Sequence, residues 1–201
     1  AEGRAVLLYH VERMNEESAN ALLKVMEEPP EGVLFLLTAD SLASVLPTIR
    51  SRCVSFAVAP VSPADCTRYC AAQGVDKKTA ALYSELFDGH IGTVLAVARD
   101  EARAAQVEKA LELARAAAAR DSYTAAVLLA AYEKDKAAAS ALLTDFRAVA
   151  AAGLRSSPRA PVQGTQARQA VRLADAALQR LGAQVNPKVV LSVFAAKLRT
   201  L

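Results

Sequence analysis

The sequence predicts an α/β segment at the front of a mostly helical chain. Three observations lead there. Short apolar runs alternate with a helix-period stretch over residues 1–59. Beyond residue 60, apolar residues recur at helical spacing, and the breaks fall at Gly, Pro, Ser and Asp. Of the 201 residues, 53% are hydrophobic but only 5% aromatic, and the excess is mostly Ala and Leu, which are strong helix formers.

The run Ala5-Val6-Leu7-Leu8 reads as a strand buried on both faces of a parallel sheet. Such a strand needs neighbours, and few follow, so the chain is expected to be cut at its front. Asn15 is a good N-cap for the next helix, and Glu16 and Glu17 suit its first turn. Ala19, Leu22, Leu23 and Met26 repeat at i, i+3, i+4, i+7 and mark its buried face. Pro29-Pro30 stops it. Val33 to Leu37 reads as a second strand, Ser41 to Ile49 as short helical turns broken at Pro47, and Cys53 to Val58 as a third strand. Strand, helix, strand, helix, strand implies a parallel sheet with right-handed crossovers.

Residues 60–100 predict three short helices in a small bundle. Ser62 caps the first, with Pro63 at its first position, and Gly74 ends it. Asp76 caps the second and Asp88-Gly89 closes it; the third begins near Ile91. Residues 101–201 predict helices broken at 120–123, near Lys134, at 156–164 and at 182–187. Val171, Leu173, Ala174, Leu178 and Leu181 form an apolar stripe.

Charge and cysteine content narrow the function. The net charge of +3 is too mild to announce nucleic-acid binding. Three cysteines, Cys53, Cys66 and Cys70, cannot all pair, which suits free thiols in a reducing compartment. No apolar run approaches the ~20 residues a membrane span needs, and no signal peptide is evident, so a cytoplasmic location is expected.

Three stretches carry a family resemblance. Asn20-Ala21-Leu22-Leu23-Lys24-Val25-Met26-Glu27-Glu28-Pro29-Pro30 resembles a segment of the AAA+ clamp-loader family. Leu46-Pro47-Thr48-Ile49-Arg50-Ser51-Arg52-Cys53 resembles another, in the family's order and spacing. Asn186-Pro187-Lys188 is similar to its C-terminal end. The resemblance implies the rear part of a AAA+ sheet at 1–59, a three-helix lid at 60–100 and a helical collar for oligomerisation at 101–201.

It also implies roles for single residues. At the end of the first strand, Tyr9 and His10 stand where active members carry the Asp and Glu of the Walker B motif. A neutral phenol is a poor ligand for a hard cation, and an imidazole lacks the carboxylate's charge. Glu12 comes two residues too late to replace them. In the third lid helix Gly92 occupies the sensor 2 position, where active members have Arg. These departures resemble the non-hydrolysing, delta-prime-like branch of the family; the alternative is a piece of an active gamma/tau-type ATPase. Arg52, in Ser-Arg-Cys, matches the family's arginine finger, which reaches into the neighbour's ATP site. Arg50 is two residues early for that role. The implied partners are gamma/tau and delta subunits, with primer-template DNA and the sliding clamp as targets of the assembly. No cofactor and no metal site are expected in this chain.

Other candidates have plainer readings. Thr38, at the sensor 1 position, reads as a satisfied turn hydroxyl. His10 and His90 have no Cys or carboxylate partner at metal-ligand spacing. Cys66 and Cys70 lie at i, i+4 and read as buried thiols, since a zinc site needs two more ligands. Arg155, Arg159, Arg168 and Arg172 gather near a Pro-rich loop, where a DNA-phosphate contact competes with the plainer reading of a solvated surface. A helical scaffold unrelated to replication is the remaining rival, and a chain without a parallel sheet in residues 1–59 would favour it.

Overall fold

The computed structural model describes residues 3–59 and 61–201, which fall into two units divided after Val58. Helix, short 3-10 turns included, takes 65% of the described residues, as the Ala- and Leu-rich composition leads one to expect.

The first unit holds β1 (Arg4–Leu8), α1 (Glu16–Glu27), β2 (Val33–Leu37) and the short α2 (Pro47–Arg50). β1 and β2 pair in parallel, with Val6 beside Phe35 and Leu8 beside Leu37. The helix between them is the crossover that parallel strands require. Asn15 opens α1: its side-chain oxygen accepts from the Ser18 N–H at 2.8 Å. Ala19 and Leu22 of α1 are buried with Val11, Val45 and Ile49, and Leu8, Leu23, Met26 and Leu37 pack against them. Pro47 starts α2 rather than breaking a helix, which suits a residue whose missing N–H would be unpaired there anyway.

Two expectations are corrected. Cys53 to Val58 does not form a third strand, so the sheet of the described residues has two strands. A strand is made by its ladder partner, and this segment has none; Val54, Phe56 and Val58 are 82%, 83% and 94% exposed. The continuous apolar runs also predict strands covered on both faces. One face is covered by α1, whereas Leu7, Leu34 and Leu36 on the other are about half exposed.

The second unit is helical: α3 (Pro63–Ala72), α4 (Lys77–Leu86), α5 (Ile91–Arg99), α6 (Glu101–Ala118), α7 (Ser122–Ala130), α8 (Lys136–Leu154), α9 (Gly164–Gly182) and α10 (Pro187–Leu198). The predicted breaks fall where the helices end. Most starts carry a side-chain cap, from Ser62, Asp76, Asp100, Asp121, Asp135 and Asn186. One buried core runs from Cys66 on α3 to Leu201, so α3–α5 share it with the later helices. α8 is its axis, packed on α6 and α9, and its Phe146 meets Phe194 of α10 edge-on at 5.4 Å between ring centres. α8 is long and apolar enough to cross a membrane by length and composition alone. Its buried side chains and the buried Asp145 are those of a core helix instead.

Two contacts fix this core. Gly153 of α8 lies so close to the following loop that a Cβ there would sit 1.9 Å from the Val162 carbonyl oxygen. Asp145, 2% exposed, accepts two hydrogen bonds from the Arg103 guanidinium, both at 2.5 Å, and one from Gln106 at 2.8 Å. This fork on a buried carboxylate ties α6 to α8.

Candidate functional site

The expected site residues of the first unit all sit on turns after its strands and helices. Arg52 lies just past α2. Its backbone N–H donates to the Ile49 carbonyl at 3.1 Å, which continues the α2 turn and fixes where the side chain leaves the chain. The guanidinium donates to the Thr48 carbonyl at 3.1 Å and to Glu27 Oε1 at 2.5 Å, and its side chain is 38% exposed. The Ser51 hydroxyl donates to the same Thr48 carbonyl at 3.0 Å. Serine and arginine thus converge on one carbonyl, and Glu27, the first Glu of the Glu-Glu-Pro-Pro run, holds the other side of the fork. The pairing with Glu27 is not evident from either motif alone.

Tyr9 is 68% exposed at the end of β1. His10 follows it in a left-handed conformation, φ 55 and ψ 52, which a non-glycine residue adopts at a cost. Its backbone N–H donates to the Thr38 hydroxyl at 3.2 Å, so that hydroxyl serves the turn. The Val11 N–H donates to the Thr38 carbonyl at 3.0 Å, which binds the turn after β1 to the turn after β2.

The expectation that His10 lacks a carboxylate partner is corrected here. Its Nδ1 lies 3.1 Å from Glu12 Oε1 and 3.7 Å from Asp40 Oδ1. The left-handed turn folds His10 back over Glu12. Asp40 arrives because β1 and β2 pair in register, Leu8 beside Leu37, so the residues following the two strands meet. The one local signal was the i, i+2 spacing of His10 and Glu12; the approach of Asp40 depends on the strand register. Glu12 is held below the usual carboxylate range, first by its own backbone N–H and then by the His10 ring.

In the second unit Gly92 is exposed in the first turn of α5, and a Cβ there would meet nothing within 4 Å. His90 is exposed just before it. Cys66 and Cys70 are fully buried, and burial, reinforced by Cys66, pushes the Cys70 thiol up to about 11. These are inert core thiols. Arg155 pairs with Asp88 at 3.1 Å and Arg159 with Glu85 at 3.1 Å, so both serve a joint between the end of α4 and the loop after α8. Arg168 and Arg172 are exposed on α9, without an ion pair among the described residues.

The first third of the chain resembles known proteins. Residues 1–62 match the family model described as DNA polymerase III, delta subunit. The DNA polymerase III delta-prime subunit of Yersinia pestis is 44% identical over 66 residues, covering 33% of this chain and 19% of that protein. Over residues 1–62 the chain is therefore similar to subunits of DNA polymerase III. The delta-prime subunit of Haemophilus influenzae is 54% identical over 50 residues, 25% of this chain and 15% of that one. The chain therefore spans under a fifth of the length of either relative. Weaker matches include gamma and replication factor C subunits, so the clamp-loader likeness is not confined to one branch. A DNA polymerase III gamma-subunit-related protein of Thermotoga maritima shares the fold, with a TM-score of 0.55 at 22% identity over 98% of this chain and 72% of that one.

Proposed function

We propose that this chain is part of a non-catalytic, delta-prime-type subunit of the DNA polymerase III clamp loader. It lends Arg52 to the ATP site of a neighbouring subunit during sliding-clamp loading. The observation that carries the reading is an asymmetry. The nucleotide-facing positions Tyr9, His10 and Gly92 lack the expected carboxylates and guanidinium, while the outward Arg52 is kept and oriented by Thr48, Ser51 and Glu27.

In this reading α3–α5 are the lid and α6–α10 the collar through which subunits associate. Gamma/tau and delta subunits are the partners, the assembly acts on primer-template DNA and the sliding clamp, and the location is cytoplasmic. Arg suits the finger because its charge is permanent and its fork matches phosphate oxygens. At the neighbour's γ-phosphate it would offset charge that develops as the phosphoryl group leaves. To get there it exchanges Glu27 for phosphate, a small cost because the Glu27 pair is solvent-exposed.

The test uses the full-length subunit carrying Arg52→Ala, reconstituted with its partners. DNA- and clamp-stimulated ATP hydrolysis should fall sharply while the assembly still forms; unchanged hydrolysis rejects the finger. Similarity to gamma subunits keeps one second reading open, an active gamma/tau-type ATPase. Hydrolysis of ATP by the isolated full-length subunit would favour it.

A further inference from the structure

We propose that His10, Glu12 and Asp40 form a binding site for a divalent transition-metal ion of the zinc class. The inference is independent of the role given to Arg52. The three side chains offer an imidazole nitrogen and two carboxylates, with ligand atoms all within 4.8 Å of one another. His10 Nδ1 is the hub, 3.1 Å from Glu12 Oε1 and 3.7 Å from Asp40 Oδ1.

A second observation points to a ligand. The Glu12 side chain is only 10% exposed, and its Oε2 is buried with no hydrogen-bond partner among the described residues. Buried carboxylate oxygens are ordinarily paired, so an orphan needs an explanation. A cation taken by this carboxylate supplies one. The frame is also prepared. Backbone bonds from His10 and Val11 to Thr38 hold the two contributing turns together before any ion arrives.

Charge and ligand type choose the ion. Two carboxylates against the nearby Arg13, 3.7 Å from Glu12 and 3.9 Å from Asp40, leave a local charge of about −1, which favours a dication. Magnesium and calcium prefer all-oxygen sites, whereas imidazole suits zinc and its neighbours. Three protein ligands and one water complete a four-coordinate zinc shell. His10 and Glu12 already stand close enough for such a shell, so only Asp40, 69% exposed, moves in, and Arg13, 72% exposed, swings out. Nδ1 of the neutral ring gives its lone pair, so the ring proton sits on Nε2. The ion would clip the turn after β1 to the turn after β2.

The test is titration of the full chain with Co²⁺ as a visible probe, then displacement by Zn²⁺. One ion per chain is expected, with absorption bands of a nitrogen–oxygen site and no thiolate charge-transfer band. Asp40→Asn and His10→Asn should each weaken binding about tenfold or more, since even outer-shell losses cost that much at metal sites. Asn is chosen at His10 because it tolerates the left-handed backbone. Cys53→Ser should change nothing. No saturable binding near one equivalent, a thiolate band, or wild-type affinity in both variants would each overturn the site.

Discussion

Arg52 and Glu27 meet across 2.5 Å, joining the Ser-Arg-Cys turn after α2 to the last turn of α1. Two motifs that are 25 residues apart in sequence thus become one object. The contact orients the guanidinium without burying it, and the proposed finger role would require the guanidinium to leave Glu27.

The first prediction follows from that exposure. Glu27→Gln should change the unfolding free energy by no more than about 1 kcal/mol, because exposed ion pairs contribute little. Chemical denaturation measures it. A loss several times larger would mean that the pair is a structural clamp.

Two glycines should answer oppositely to the same substitution. Gly153→Ala forces a methyl group into the Val162 carbonyl and should destabilise by about 1–3 kcal/mol despite the better helix propensity of Ala. Gly92→Ala meets open space and should be neutral or stabilising by up to about 1 kcal/mol. Paired thermal melts compare them. The fold does not require glycine at position 92, so the absence of a side chain there is not a steric necessity.

Arg103→Ala leaves Asp145 buried with only Gln106 to pair it. Breaking a buried pair from one side costs about 3 kcal/mol. Equilibrium unfolding should show that loss, and Arg103→Lys should recover part of it but not the fork.

Acid should weaken the helical unit through its caps. Asp76 is held below its ordinary value of 3.8, first by the Thr79 backbone N–H and then by the Thr79 hydroxyl. Asp121 is held below the same value by the Thr124 hydroxyl and then the Thr124 N–H. A lowered folded-state value means that the contribution is complete above the unfolded value of 3.8 and is lost as pH falls through the folded value below it. Asp76→Asn keeps a capping oxygen without a titrating proton. Its stability should therefore fall less steeply than that of the wild type below about pH 4. Parallel slopes would remove Asp76 from the account.

Much of the fold could be read from local signals. Helix starts at Ser62 and Asp76 and breaks at 156–164 and 182–187 depend on residues close in sequence, and they match the observed elements. The failures are non-local. Cys53 to Val58 has strand composition but no ladder partner, and composition alone does not supply one. Leu34 and Leu36 look like residues of a doubly covered strand, yet coverage depends on elements far away in sequence. At the candidate site the motifs named Arg52, Tyr9, His10 and Gly92. They gave no role to Glu27 or Asp40, whose roles arise from a helix end meeting a turn and from the register of two parallel strands.

The central claim is that Arg52 acts on another subunit's nucleotide. The measurement that tests it most directly is steady-state ATP hydrolysis by the reconstituted assembly, wild type against Arg52→Ala, resolved into kcat and KM. The account predicts a fall in kcat on the order of 10³-fold with the assembly intact and KM for ATP little changed, because a finger acts chiefly in the transition state. An unchanged kcat, with this subunit incorporated at full stoichiometry, would contradict it.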